Sequence, residues 1–122
     1  MKWLLLILGL LCFSPSKANA QWLDPDNCWN CLDSKHHFIA GAILDVAARG
    51  PFVAKSWNNT AWKRVLLVAG VGATYEFMQL YEAKQTGTLG QPGYGFSLKD
   101  LSLDIGGAVA SEILIWSLPK IF

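Results

Sequence analysis

Five ionisable residues interrupt stretches that are otherwise apolar, and their types and spacing could support chemistry. Asp33 and His37 lie four residues apart, Glu76 follows an uncharged run, and Asp100 and Asp104 again lie four apart. Residues at this spacing share one face of a helix. Carboxylates and an imidazole in apolar surroundings have shifted pKa values, which acid–base catalysis requires. The sequence therefore predicts a candidate site made of these five residues.

Small residues stand on the same helical faces as the polar ones. Gly41, Gly72 and Gly107 lie three or four positions from a polar residue, and Ser111 lies four positions beyond Gly107. Small side chains let the backbones of two helices approach closely. We therefore expect His37, Glu76 and Asp104 to converge between helices. The alternative is a structural role, in which the polar residues hydrogen-bond or ion-pair with one another and fix the register of the helices.

Other kinds of site find less support in the sequence. One histidine among several carboxylates could hold a metal ion, but the neighbouring His36 and His37 point about 100° apart on a helix and cannot easily share it. No serine lies in a nucleophile motif, and no glycine loop has the Walker spacing for phosphate. We therefore predict no cofactor and leave a metal open.

Three helices are needed to position these residues. Helical spacing and stop signals predict them from Lys35 to Ala48, from about Ala61 to Tyr81, and from Ser97 to Leu118, with a glycine-rich loop over 85–96. The predicted fold is all-α, a small bundle of about three helices over 33–122. The second and third helices are long enough to cross a bilayer, although acidic residues interrupt both.

Residues expected to start the helices are short polar ones. Ser97 with Asp100 forms a capping-box pattern, and it makes the third helix the best-defined element. The first two helices have other candidates for the N-cap: Asp33 or Ser34, and Asn59-Thr60.

The first twenty residues are typical of a cleaved secretion signal. A lysine, an apolar run and the small-x-small sequence Ala18-Asn19-Ala20 follow in order, whereas Leu11 before Cys12 poorly fits a lipoprotein site. We therefore expect an exported protein of the periplasm or cell membrane. Removal of Lys2 and Lys17 leaves 8 Lys and Arg residues against 9 Asp and Glu. This balance argues against a nucleic-acid partner.

An irregular arm over 21–32 precedes the helices and contains Cys28 and Cys31 as C-x-x-C. An oxidising compartment favours a disulfide between them, whereas a cysteine near a helix N-terminus could also serve in thiol redox chemistry. No βαβ pattern surrounds the pair, so a structural clip is the preferred interpretation. A partner-binding role for this arm is a further hypothesis.

The polar pattern resembles that of the VanZ-like proteins and related small periplasmic or membrane proteins of bacteria and their phages. The resemblance runs from about Asp33 to Gly107 and rests on an Asp and a His four apart, a Glu with a Gln three residues on, and a closing pair of Asp residues before Gly-Ala: Asp33, His37, Phe38, Glu76, Gln79, Asp100, Asp104, Gly107 and Ala108.

The chain departs from that family at two places. Ser34 stands where the family often has Lys, and the Arg expected between Glu76 and Asp104 is absent, with Lys84 or Lys99 nearest. The family's namesake is linked to glycopeptide resistance. The resemblance implies an envelope location and the site residues, but no reaction.

Our leading functional hypothesis is a small exported envelope protein, embedded in or associated with a membrane, whose polar cluster has a structural or accessory role. Its partner would be a membrane lipid or another envelope component. Tryptophans near the ends of the segments, including Trp57 and Trp62, suit a membrane interface. The alternative is a hydrolase acting on a lipid or cell-wall component, with Glu76 or Asp104 as base and His37 as acid. The sequence leaves the oligomeric state and the membrane orientation open.

Overall fold

The computed structural model describes residues 23–26 and 28–118, except for the side chain of Asn58. The expected secretion signal over 1–20, including Cys12, lies outside the described residues and stays a prediction. So does the start of the arm at 21 and 22.

The described chain is a small all-α bundle, as predicted. Its helices are α1 (Leu32–Ala48), α2 (Lys55–Asn58), α3 (Ala61–Thr86) and α4 (Leu98–Ser117). α4 packs closely along α1 and also contacts α3, which in turn contacts α1. The short α2 was not predicted, and it packs against α3.

The start of α1 differs from the prediction. The helix begins at Leu32 with Cys31 in the N-cap position, and no side chain caps it. Asp33 and Ser34 therefore lie in the first turn. The Ser34 hydroxyl instead donates a 2.6 Å hydrogen bond to the carbonyl of Cys28, so it ties the arm to the helix.

The other helix ends follow ordinary local rules. The Ser97 hydroxyl accepts the N–H of Asp100 at 3.1 Å, which confirms the predicted N-cap of α4. α3 continues five residues beyond the expected end at Tyr81 and stops at Gly87, whose φ of 71° is left-handed and suits glycine. Thr60 occupies the N-cap position of α3, but its side chain makes no capping bond.

The arm and the glycine-rich loop pair with each other. Leu23 forms a parallel bridge with Phe96, and the N–H of Asp24 donates to the Phe96 carbonyl at 2.9 Å. The Asp24 carboxylate in turn accepts the N–H of Gly93. The described part of the arm is irregular, as predicted, and its Cys28–Cys31 disulfide is present. The arm is therefore fixed to the body of the protein.

Two glycines account for the close approach of α1 and α4. A Cβ atom added at Gly41 would overlap the backbone of Asp104, and one added at Gly107 would overlap the backbone of Phe38. Any larger residue at either position would force the two helices apart. The prediction that small residues bring the polar faces together is confirmed for this pair of helices.

Polar side chains occupy much of the interior, and large apolar ones occupy much of the surface. The buried polar residues are Ser34, Asp45, Arg64, Glu76, Ser97, Lys99, Asp100, Asp104 and Ser111, whereas the buried apolar ones are Ala48, Val68, Ala83, Phe96 and Ala108. Exposed apolar side chains occur on each long helix, among them Ile43 on α1, Met78 on α3 and Trp116 on α4. This distribution is the reverse of that in ordinary water-soluble domains.

The expectation of membrane-spanning helices needs correction. Over residues 23–26 and 28–118, no helix combines the length and the apolar character that crossing a bilayer requires. Length alone suggested a span, but α3 contains Lys63, Arg64 and Glu76 before its polar last turns, and α4 contains four charged residues.

Candidate functional site

The predicted site residues do converge. We call Asp33, His37, Glu76, Asp100 and Asp104 the acid–histidine cluster. Its closest contact joins α1 to α4, since His37 Nδ1 lies 3.1 Å from Asp104 Oδ1. Gly41 and Gly107 permit this contact because they allow the two backbones to approach.

Asp33 and Asp100 lie near the same imidazole. His37 Nε2 is 4.0 Å from Asp33 Oδ1, one helical turn away. One ligand atom from each of Asp33, His37 and Asp100 lies within 4.8 Å of the other two. The Asp33 side chain is 65 % exposed, whereas Asp100 is buried. The cluster is therefore open to solvent on the Asp33 side.

Asp104 affects the pKa of His37 and which of its ring nitrogens carries the proton. The hydrogen bond with the Asp104 carboxylate raises the pKa of His37, while burial lowers it and the charges of Asp100, Asp104 and Asp33 raise it further. A carboxylate at Nδ1 also favours the proton on that nitrogen, which leaves Nε2 as the nitrogen that can accept a proton or a ligand.

Glu76 reaches the cluster from α3 and is fully buried. Its Oε2 atom accepts the backbone N–H of Ser97 at 2.7 Å, whereas Oε1 has no hydrogen-bond donor in the described part of the chain. Burial raises the pKa of Glu76 to about 7, against the opposing effect of the Ser97 bond. A carboxyl group with this pKa exchanges protons near neutral pH.

Lys99 closes the cluster on the side of the arm. Its ammonium group donates to Asp26 at 2.9 Å and to the Cys28 carbonyl at 3.3 Å, and it lies 3.5 Å from Asp100 Oδ1. The hydrogen bond from Lys99 lowers the pKa of Asp26. In the sequence, Lys99 is notable only as a basic residue near the position where the VanZ-like proteins have an arginine. Its contacts with the arm were not predicted.

A second polar group lies farther along the same helices and was missed by the sequence analysis. We call Asp45, Arg49, Arg64 and Glu112 the four-charge cluster. Arg64 from α3 makes a two-pronged contact with Glu112 of α4, with distances of 2.6 and 2.9 Å. Arg49 lies 2.7 Å from Glu112 and 3.5 Å from Asp45, both measured from Nη2. The four formal charges sum to zero, so this cluster neutralises itself.

The two acids of the four-charge cluster respond differently to burial. Burial raises the pKa of Asp45, which is fully enclosed. Burial also acts to raise the pKa of Glu112, but its hydrogen bonds with Arg64, Asp45 and Arg49 outweigh that effect and lower it. Glu112 is therefore the stronger acid of the two, and it is the one that contacts both arginines.

Other residues considered from the sequence lie outside the acid–histidine cluster. His36 is exposed, and Gln79 lines a shallow depression on the outer side of α3 together with Tyr81 and Glu82. A second depression lies beside it and is lined by Trp57, Leu66 and Val71 among others. Neither depression reaches His37 or Glu76, so neither serves as a substrate pocket for the cluster.

Comparison of the chain with models of known protein families, with curated proteins and with solved structures gave no match. The resemblance to the VanZ-like proteins therefore rests on the spacing of the residues quoted above and stays a prediction.

Proposed function

We propose that this protein is a small envelope protein that lies against a lipid surface, with its paired polar residues kept in the interior. The observation that supports this proposal is the reversed distribution of side chains, in which charged residues are buried and large apolar ones face outwards. Its role in the envelope is structural or accessory, and the membrane association is peripheral.

The exposed apolar side chains are the kind that a lipid interface accepts. α3 alone exposes Trp62, Tyr75 and Tyr81, whose rings have an apolar body and a polar tip. Such side chains are enriched where hydrocarbon meets lipid headgroups. The shallow depressions along α3 add apolar grooves lined by Thr74, Tyr75 and Met78. Exposed apolar patches on a protein surface often mark a site of contact with a membrane or another protein.

The buried charged residues can fix the relative positions of the helices in a protein that contacts lipid. Both clusters link α1 to α4, and each also involves α3, through Glu76 in one and Arg64 in the other. Apolar contacts between helices are weakly directional, so they alone leave the register of the helices poorly specified. Hydrogen-bonded charges between the helices supply the specificity that is then missing.

A vesicle flotation experiment tests the lipid contact. The purified protein is expected to float with vesicles of phosphatidylethanolamine and phosphatidylglycerol. Met78→Ser combined with Tyr81→Ser removes two exposed apolar side chains, each worth about 1.5 to 3 kcal/mol when fully buried, so vesicle affinity should fall by at least about tenfold.

Lys84→Ser combined with Gln85→Ser is the matched control, because both residues are exposed and polar on the same helix. It should leave flotation unchanged. Equal flotation of both double variants would contradict the proposal. A protein that does not float, and that forms a dimer which the Met78 and Tyr81 changes dissociate, would assign the apolar surface to a second copy of the chain instead.

A hydrolase acting on a lipid or cell-wall component is the second candidate function, favoured by one observation. Glu76, whose pKa is raised to about 7, interacts electrostatically with His37, whose pKa is also raised, so a carboxyl group and an imidazole with shifted pKa values lie together. Such groups contribute typically about 10² to 10⁴-fold to a reaction rate.

This candidate is tested with fluorescent phospholipid and purified peptidoglycan as substrates. His37→Asn, Glu76→Gln and Asp104→Asn should each lower turnover by about 10² to 10⁴-fold, whereas Glu82→Gln, a change of an exposed acid, should not. Turnover that survives all three changes, or no turnover of either substrate by the unaltered protein, would rule the candidate out for these substrates.

A further inference from the structure

We propose that Asp33, His37 and Asp100 bind one divalent transition-metal ion of the Zn²⁺ type. Two carboxylates and an imidazole are ligands that Zn²⁺ accepts, and the three ligand atoms lie within 4.8 Å of one another. This inference goes beyond the proposed lipid contact and does not depend on it, because it rests on Asp33, His37 and Asp100 and on none of the exposed apolar side chains.

The orientation of His37 suits a metal ligand. Its Nδ1 atom is engaged by Asp104 at 3.1 Å, while Nε2 faces Asp33 at 4.0 Å. Histidines that bind metals almost always donate their other N–H to a carboxylate, a carbonyl or water, which fixes the ring and strengthens the ligand. Asp104 is in the position of that carboxylate, and Nε2 is left for the ion.

Two buried carboxylate oxygens that accept no hydrogen bond within the described chain provide a second observation. Asp100 Oδ1 and Glu76 Oε1 are buried and accept no hydrogen bond from any described residue. Lys99 pairs with Asp100 Oδ1 at the long distance of 3.5 Å, while its ammonium group makes shorter hydrogen bonds with Asp26 and the Cys28 carbonyl. A buried carboxylate oxygen that accepts no hydrogen bond costs free energy, and a cation bound by Asp100 would lower that cost.

The site needs only a small adjustment to hold an ion. Ligand bonds of about 2.0 to 2.2 Å place neighbouring ligand atoms roughly 3 to 3.5 Å apart. Asp33 lies on the first turn of α1, and its side chain is 65 % exposed, so it can rotate towards Nε2. Three protein ligands leave a fourth position for water. An imidazole ligand favours Zn²⁺ and its neighbours over Mg²⁺ or Ca²⁺, which prefer oxygen.

The experiment uses the purified protein with its disulfide intact, after treatment with a chelator and dialysis. Titration calorimetry with Zn²⁺ measures stoichiometry and affinity, and the visible absorption of added Co²⁺ reports coordination. One ion should bind per chain. Asp33→Asn should weaken Zn²⁺ binding by about tenfold or more, and because Asp33 is exposed the variant should keep its helical circular dichroism. Asp100→Asn should weaken it likewise.

Two matched controls separate the site from adventitious binding. Glu82→Gln removes an exposed acid on α3, and it should leave Zn²⁺ affinity unchanged. His37→Gln should abolish the Co²⁺ absorption bands, whereas His36→Gln, at the exposed neighbouring histidine, should retain them. The proposal is overturned if the unaltered protein shows no saturable binding, if Asp33→Asn binds with unchanged affinity, or if the bands depend on His36. None of these results bears on vesicle flotation.

Discussion

Glu112→Gln is expected to lower the free energy of unfolding by about 3 to 5 kcal/mol, the typical cost of removing one partner from a buried ion pair. Glu112 faces Arg64 at 2.6 Å and Arg49 at 2.7 Å, so the change leaves two arginines beside a single acid, Asp45. The Arg64 side chain is only 8 % exposed, and water cannot replace the lost charge there.

Denaturation by urea, followed through tryptophan fluorescence, measures this loss. Glu82→Gln is the control, since it makes the same chemical change at an exposed site on α3 and should shift stability by less than about 0.5 kcal/mol. A double variant, Arg64→Met with Glu112→Leu, removes both charges of the pair and should recover part of the loss. A cost below about 1 kcal/mol for Glu112→Gln would show that the four-charge cluster does not hold the helices together.

Glu76→Gln is expected to change how stability depends on pH. The pKa of Glu76 is raised from 4.5 to about 7 by burial, so the folded protein holds this proton more tightly than the unfolded chain does. Stability contributed by that proton is present at low pH and is lost as pH rises from about 4.5 to 7. Between pH 5 and pH 8 the loss amounts to about 2 to 3 kcal/mol.

The unaltered protein should therefore lose free energy of unfolding between pH 5 and pH 8 that the variant does not lose. The difference between the two proteins should shift in favour of the variant over this range. Glutamine keeps a carbonyl oxygen that can accept the Ser97 N–H, so the buried hydrogen bond survives. Urea denaturation at both pH values, with a chelator present, measures the difference. His37 has a raised pKa too, and the stabilisation this gives is lost as pH rises above its ordinary value of 6.5. Because His37 interacts with Glu76, the comparison is repeated with His37→Asn in both proteins, which removes this contribution. Identical pH profiles would disprove the assignment to Glu76.

Much of the fold followed from local signals in the sequence. Ser97 with Asp100 gave the start of α4, and the small and polar residues three or four apart gave the buried faces of the three long helices. The same spacing also indicated the acid–histidine cluster. These signals work because a helix repeats every 3.6 residues, whatever surrounds it.

The four-charge cluster could have been found by extending that rule. Asp45 follows Gly41 by four residues, and Arg64 lies four residues before Val68 and eight before Gly72, on faces already identified. Arginine is among the residues that are least often buried, so a buried Arg64 was not expected. In this protein many large apolar side chains are exposed, so the usual expectation that charged residues lie on the surface was wrong for these positions.

Other features depend on contacts between distant parts of the chain. Asp26 and Lys99 are 73 positions apart, and nothing in their local sequence predicts the 2.9 Å contact between them. The bridge between Leu23 and Phe96 is of the same kind. α1 begins earlier than predicted, with the disulfide-bonded Cys31 in its N-cap position and no side chain capping it.

The makeup of the interior also governs how this protein responds to temperature. The buried apolar residues are mostly small, namely Ala48, Val68, Ala83 and Ala108, with Phe96 as the large exception. Unfolding exposes apolar surface, which raises the heat capacity, and polar surface, which lowers it. A chain that buries so much polar surface gains less heat capacity than the usual 12 to 15 cal/mol/K or so per residue. Its stability curve is accordingly broad and flat, and cooling weakens it little.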